Sequence, residues 1–135
     1  MKRIGTLFMT GGALYFIFET LWRGYSHWTM FILGGLCFVL VGGLNNFLPW
    51  EMPLLYQILL GGLIITVGEL LTGCVVNLWL GWQVWDYSAL PGNLWGQICP
   101  QYSLLWVLLS GPIIILDDLL QWRWYRERMP SYKLI

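Results

Sequence analysis

Long apolar runs, separated by short segments that carry prolines, glycines or charges, make up most of the chain. A membrane-spanning helix needs about 20 mainly apolar residues. Four segments reach that length, and we predict helices over about 4–22, 29–48, 54–80 and 102–122. The stretch 81–101 combines aromatic residues with prolines and glycines and is too broken for a helix. The pattern therefore predicts an all-α integral membrane four-helix bundle, with an aromatic-rich outer loop between helices 3 and 4.

The composition supports a lipid environment. Of the 135 residues, 58% are hydrophobic and 10% are charged, whereas a soluble domain carries about 25% charged residues. So few charges cannot cover a water-facing surface, and the length fits a single transmembrane domain spanning 1–135. The net charge is zero, so no clustered basic face favours nucleic acid as a partner.

Basic residues predict the orientation of the bundle. The first apolar run continues to Trp22, carries Glu19 and lacks a small-x-small cleavage site, so we interpret it as a retained helix rather than a signal peptide. With four spans, one side holds six of the seven basic residues, namely Lys2, Arg3, Arg123, Arg126, Arg128 and Lys133. Only Arg23 falls on the other side. The positive-inside rule then places both termini, including the basic tail 123–135, in the cytoplasm.

Tryptophans concentrate near the predicted helix ends. Amphipathic rings favour the headgroup level of a bilayer. We therefore expect most of these tryptophans to be interface anchors: Trp22, Trp28, Trp50, Trp79, Trp82, Trp106, Trp122 and Trp124.

One face of the third helix carries a stripe of small and polar residues. Its members recur at helical spacing: Gly62, Thr66, Glu69, Gly73 and Asn77. Small residues allow close helix approach in lipid, so packing explains the glycines. Glu69 differs, because an ionisable residue near a helix centre costs about 2.5–3.5 kcal/mol to insert. We expect Glu69 to face the bundle interior, either protonated or paired.

Arg23 is the only basic residue expected on the outer side, and it lies one helical turn beyond Glu19. We predict that Glu19, Arg23 and Glu69, with Asn77 as a further candidate, form one polar cluster in the outer half of the bundle. Two interpretations remain open. The cluster is either an ion network that only pairs helices, or a binding site for a cation, a proton or a small polar solute.

Two further groups of acids are candidates for ligand binding. Asp117 shares a helix face with Ser110. It lies near the inner helix ends, where Asn45, Asn46 and Asp118 are also expected. Charge balance with nearby arginines is the alternative explanation there. Asp86 belongs to the outer loop, which would either cap the bundle as a lid or form a rigid turn.

The sequence lacks the residues that several kinds of metal site and active site require. His27 is the only histidine and no Cys/His cluster exists, so no metal site and no cofactor are expected. Neither a P-loop nor a GxSxG motif is present. The three cysteines have no CxxC spacing and are expected to be free, with a Cys74–Cys99 disulfide as the alternative.

Motifs along most of the chain resemble a known family of bacterial membrane proteins. They are WDYS at 85–88 with the following Pro91, Asn93, Gly96 and Cys99, the run ETLWRG at 19–24, and Glu69 with Gly73 and Asn77. This pattern is similar to the putative ABC-transporter type IV family, also described as putative ABC transporter permeases. The resemblance implies a multi-pass protein of the bacterial cytoplasmic (inner) membrane that is related to transport.

The inward loop argues against an ATPase partner. The segment Pro49–Pro53 is too short for the coupling helix through which an ATPase would act. We therefore expect a permease-like homo-oligomer in contact with lipid that binds or transports a small solute or ion. The alternatives are a structural or accessory membrane protein, and a small membrane enzyme acting on lipid. Catalysis is not expected, because no nucleophile accompanies the acids.

Overall fold

The fold, seen in a computed structural model that describes residues 2–49, 52–126 and 130–132, consists of helices and irregular loops. The helices are α1 (Lys2–Arg23), α2 (Trp28–Gly42), α3 (Leu44–Phe47), α4 (Leu54–Gly73), a π-helix (Cys74–Trp79) and α5 (Pro100–Tyr125). The only pairing of β type within the described residues is one isolated bridge between Leu94 and Ile98. The predicted all-α class is confirmed. Trp50, Arg128 and Lys133, used in the predictions above, lie outside the described residues.

Within the described residues, three helices are long and apolar enough to cross a membrane: Lys2–Arg23, Leu54–Trp79 and Pro100–Tyr125. The apolar helix α2 is shorter. The chain is therefore a multi-pass membrane protein with a helical bundle. That both termini face the cytoplasm stays a prediction.

The second helix differs from its predicted range of 29–48. It ends at Gly42 after 15 residues, which corresponds to a length of about 22 Å. Two adjacent glycines, Gly42 and Gly43, weaken the helix here because glycine is a poor helix former. The amide of Gly43 still bonds to the carbonyl of Val39 at 3.0 Å, and the four-residue helix α3 follows directly.

Helix α2 lies at the centre of the bundle, in contact with α1, α4 and α5. Its most extensive contact is with α1, and α4 packs most extensively on α5. Paired glycines allow these approaches. Gly11 and Gly12 of α1 lie against Phe38 and Phe31 of α2, and Gly61 of α4 lies against Ser110 of α5. Such small-residue contacts are the usual means of helix association in lipid.

The third span changes its helical form near its end. After Gly73 the backbone continues as a π-helix to Trp79, and a loop from 80 to 99 then folds back over the bundle. We call the side with this loop the loop end. The opposite side, where α3, the start of α4 and the end of α5 lie, we call the tail end. Polar side chains are buried at both ends, and each end is described below.

Candidate functional site

Glu69 occupies the interior of the bundle near the loop end. It is 3% exposed, and its Oε1 atom has no hydrogen-bond partner. The groups that hydrogen-bond with its carboxyl are the side chains of Tyr87, from the loop, and Trp106, from α5. The helical stripe expected from the sequence accounts for this position, since Thr66 of the same face bonds to Ser103 of α5 at 3.2 Å.

A row of aromatic rings lines the region around Glu69. Tyr15 and Trp106 have ring centroids 6.0 Å apart, and Trp106 and Tyr102 are 6.2 Å apart. Tyr102 stacks on Tyr87 at 4.7 Å with nearly parallel planes. Tyr15 is also close enough to Glu69 for an electrostatic interaction. We call the four rings together with Glu69 the Glu69 site.

Trp106 is an exception among the tryptophans, most of which are expected to be interface anchors. Its side chain is 7% exposed and packs in the core. It lies between Ser103 and Ser110 in the sequence, at the i+3 and i+4 spacings that place residues on one helix face. Trp22 and Trp79, in contrast, are 80% and 79% exposed at helix ends, as anchors should be.

Burial keeps Tyr87 in its neutral form. Desolvation, and secondly the negative charge of Glu69, hold the pKa of the Tyr87 hydroxyl well above its ordinary value. Tyr87 is therefore a hydrogen-bond donor at any physiological pH. A neutral donor that reaches the carboxyl from the loop ties the loop conformation to Glu69.

Glu19 and Arg23 form an ion pair at the end of α1. Arg23 Nη2 lies 2.6 Å from Glu19 Oε1, and Ser26 donates to Glu19 Oε2 at 3.1 Å. Arg23 Nη1 also donates to the carbonyl of Val84 at 3.1 Å, which joins α1 to the loop. Glu19 is near enough to Glu69 for charge repulsion. The structure thus brings Glu19, Arg23 and Glu69 to the same end of the bundle.

Asn77 lies in a separate polar network. Its Oδ1 accepts from the amide of Val84 at 2.7 Å and of Trp85 at 3.4 Å. Its Nδ2 donates to Gln97 Oε1 at 2.7 Å, and the Trp85 indole donates to the Gln97 carbonyl at 3.0 Å. Through these bonds Asn77 joins the third span to the loop.

Asp86 is exposed and is not brought to Glu69. Its Oδ1 accepts from the amide of Ser88 at 2.9 Å, which closes a turn. The side-chain hydroxyl of Ser88 and secondly its backbone amide hold the pKa of Asp86 below the ordinary value. The structure therefore favours the rigid-turn interpretation of this residue.

We expect a carbon-detected titration of the Asp86 carboxyl to show a midpoint below that of an ordinary aspartate. Because the folded-state pKa is lowered, the stabilisation of the turn is present at neutral pH and is lost as the pH falls through that lowered value. Ser88→Ala should move the midpoint back toward the ordinary one, since the hydroxyl makes the largest contribution. An unchanged midpoint in Ser88→Ala would contradict this account.

Buried acids also meet at the tail end. Asn45 Nδ2 and the Tyr132 hydroxyl both donate to Asp118 Oδ2, at 2.6 and 2.8 Å. Gln121 donates to Asp117 Oδ2. Asp117 and Asp118 are 0% and 4% exposed. The expected grouping of Asn45 with both aspartates is therefore present. The Asn46 side chain lies outside the described ones.

The cysteines carry no disulfide. Cys37, Cys74 and Cys99 are free, and Cys37 and Cys99 are buried. Within the described ranges, no three His, Cys, Asp or Glu side chains group so that they could hold a metal ion.

Comparison with known protein families gives a match. A family model described as putative ABC-transporter type IV matches residues 6–126, which include Glu69, the rings around it and the two buried aspartates of the tail end. No curated protein and no solved structure matches the chain.

Proposed function

Because the chain belongs to the putative ABC-transporter type IV family, and hence is a membrane protein related to transport, we propose that it binds and transports a small cation at the Glu69 site. One observation carries the proposal: a carboxyl 3% exposed, with Oε1 unpartnered, lies among four aromatic rings. A buried carboxylate needs a counter-charge or a proton. Intramembrane ionisable groups mark ion and substrate pathways.

The aromatic rings favour an ammonium-type cation over a neutral solute. The faces of tyrosine and tryptophan attract cations within about 6 Å of the ring centroid, most strongly when water is excluded. Trp106 and Tyr87 both interact directly with the Glu69 carboxyl, so a cation paired with Glu69 would also lie beside their rings. Glu19 and Arg23 pair with each other, which leaves Glu69 as the acid for the ligand.

We expect Glu69→Gln to reduce the uptake of radiolabelled methylammonium into proteoliposomes at least about tenfold. The amide keeps the shape of the side chain and removes its charge, so the loss would report the charge interaction. Uptake by the unaltered protein, driven by an outward proton or sodium gradient, sets the reference. Circular dichroism and size-exclusion chromatography show whether the variant is folded.

Asp86→Asn serves as the matched control, because Asp86 is an exposed acid in the loop, and this variant should retain uptake. If the folded Glu69→Gln protein transports methylammonium normally, Glu69 is not the binding group. If Glu69→Gln is unfolded while the unaltered protein shows no uptake, the acid serves helix packing. That result would favour a structural or accessory membrane protein over a transporter. A chemically altered lipid in cells that express the protein would instead favour an enzyme.

We further propose that the protein works as a homo-oligomer in a bacterial cytoplasmic membrane. Four helices enclose little volume, and large apolar side chains face outward from every span, among them Phe18, Leu63 and Leu108 at 68%, 58% and 64% exposure. A subunit interface would provide the space for a pathway that one bundle lacks. Native mass spectrometry of membrane patches taken without detergent reports the stoichiometry, and a bare monomer would contradict the proposal.

A further inference from the structure

Four buried side-chain oxygens at the tail end have no hydrogen-bond donor. They are Oδ1 of Asn45, Oε1 of Gln57, Oδ1 of Asp117 and Oε1 of Gln121. Each of these side chains is nine-tenths or more buried, at 5%, 1%, 0% and 2% exposure. Buried polar atoms almost always have a partner, and an exception calls for an explanation such as an ion.

Rotating the amide groups does not remove this excess of acceptors. Each amide nitrogen already donates: Asn45 Nδ2 to Asp118, Gln57 Nε2 to the Met52 carbonyl at 3.1 Å, and Gln121 Nε2 to Asp117. Exchanging oxygen and nitrogen in any of them would break a bond to a carboxylate or a carbonyl. The three amide oxygens therefore have no hydrogen-bond donor in the placement that keeps all three of these bonds.

The contacts of α2, α4 and α5 place these oxygens at one level of the bundle. A Cβ atom on Gly42 would lie 3.0 Å from Asp117 Oδ1, so this unpartnered oxygen faces the backbone of α2. Asn45 follows Gly42 by three residues. On α4, Gly61 lies against Val41 of α2 and Ser110 of α5. Gln57 lies one turn before Gly61. The four residues thus lie on α3, α4 and α5, close to where α2, α4 and α5 meet.

Among the described residues, the two acids at this junction and the arginine that interacts with Asp117 sum to a charge of minus one. Asp117 and Asp118 contribute two negative charges when ionised, and Arg3 lies near enough to Asp117 to offset one of them. A monovalent cation would neutralise the remainder, whereas a divalent ion would leave a buried positive charge. Carboxylate and amide oxygens are the ligands of hard cations, and carbonyl oxygens coordinate Na⁺ in membrane transporters.

We propose that the side-chain oxygens of Asn45, Gln57, Asp117 and Gln121 bind a sodium ion at the tail end of the bundle. The ion supplies the positive partner that all four oxygens lack. This sodium site is separate from the Glu69 site in residues and in position. It therefore stands whether or not methylammonium is transported.

Direct binding of ²²Na⁺ to the purified full chain in lipid nanodiscs tests the proposal. We expect saturable binding of one ion per chain, displaced by unlabelled NaCl but not by choline chloride at equal ionic strength. Asp117→Asn should weaken the affinity at least about tenfold, which corresponds to about 1.4 kcal/mol. Gln57→Leu, which keeps the volume and removes the oxygen, should do the same, whereas Gln101→Leu on an exposed amide should bind as the unaltered chain does.

Thermal unfolding provides a second measurement on the unaltered protein. A ligand that binds only the folded state raises its stability, so NaCl should raise the midpoint above that in choline chloride. The absence of both saturable ²²Na⁺ binding and this stabilisation would overturn the proposal and leave water as the partner of the oxygens. Binding of Mg²⁺ that displaces ²²Na⁺ at lower concentration would overturn the assignment of a monovalent ion.

Discussion

Replacing Gly12 by valine is expected to lower the free energy of unfolding by about 3 kcal/mol, at the upper end of the range for an overpacked core. A Cβ at this position would lie 2.6 Å from the backbone carbonyl oxygen of Phe31 and 2.8 Å from the Phe31 ring. A ring can turn aside, but a helix backbone cannot move without separating α1 from α2. The bundle would then lose its most extensive helix contact.

Gly5→Val is the matched control for this change. Gly5 belongs to the same helix, and a Cβ there meets nothing within 4 Å. Both variants exchange the same residue types in α1, so their difference isolates the steric effect from helix propensity. Stability can be measured by titration with sodium dodecyl sulfate in mixed micelles. Equal unfolding midpoints for Gly12→Val and Gly5→Val would show that the α1–α2 contact is looser than described.

The all-helical class was predictable from the sequence because one physical requirement dominates in lipid. Backbone groups must be satisfied within the helix, and an apolar run of sufficient length therefore becomes one. The stripe through Thr66 and Glu69 was predictable for a related reason, since polar side chains turn away from lipid. The end of α2 at Gly42 was not, because hydrophobicity alone does not report where a pair of glycines interrupts a helix.

Part of the Glu69 site and of the proposed sodium site was predictable. Glu69 and Asp117 are conspicuous in apolar runs, and the sequence indicated both of them together with Asn45. Tyr15, Trp106 and Gln57 were missed, because an aromatic or amide side chain in a span has several ordinary explanations. Their spacing does carry a signal: Tyr15 lies one turn before Glu19, and Gln57 lies one turn before Gly61. Which face meets which neighbour depends on helix pairing, and a single sequence leaves that open.

Asn77 also shows that a single sequence does not reveal which neighbour a helix face contacts. Its helical position next to Glu69 and Gly73 suggested a ligand-binding group, and the face was right. The loop occupies that face instead. Val84, Trp85 and Gln97 are separated from Asn77 by up to 20 residues, and the fold of an irregular loop cannot be derived from its composition. The loop therefore acts as a cover, and Asn77 is one of the residues that hold it to the bundle.

Asn77→Leu is expected to release this loop from the bundle. The change leaves the Val84 amide and the Gln97 carboxamide oxygen without their partners, and each loss costs about 1–3 kcal/mol. We expect the opening of the loop to become easier by about 2 kcal/mol, which would raise hydrogen exchange across residues 82–98 by about 30-fold. Asn77→Asp, which retains the acceptor oxygens and loses the donor to Gln97, should give a smaller increase.

Leu78→Ala, at the adjacent position, is the matched control for hydrogen exchange in the loop. The Leu78 side chain is 54% exposed, so its removal should leave the loop closed. The prediction also reaches the Glu69 site, because Tyr87 belongs to the released segment and donates to Glu69 from there. Asn77→Leu should accordingly reduce methylammonium uptake without any change at the carboxyl itself. Unaltered exchange in Asn77→Leu would mean that Arg23, through its bond to the Val84 carbonyl, holds the loop by itself, and Arg23→Gln would then be the variant that opens it.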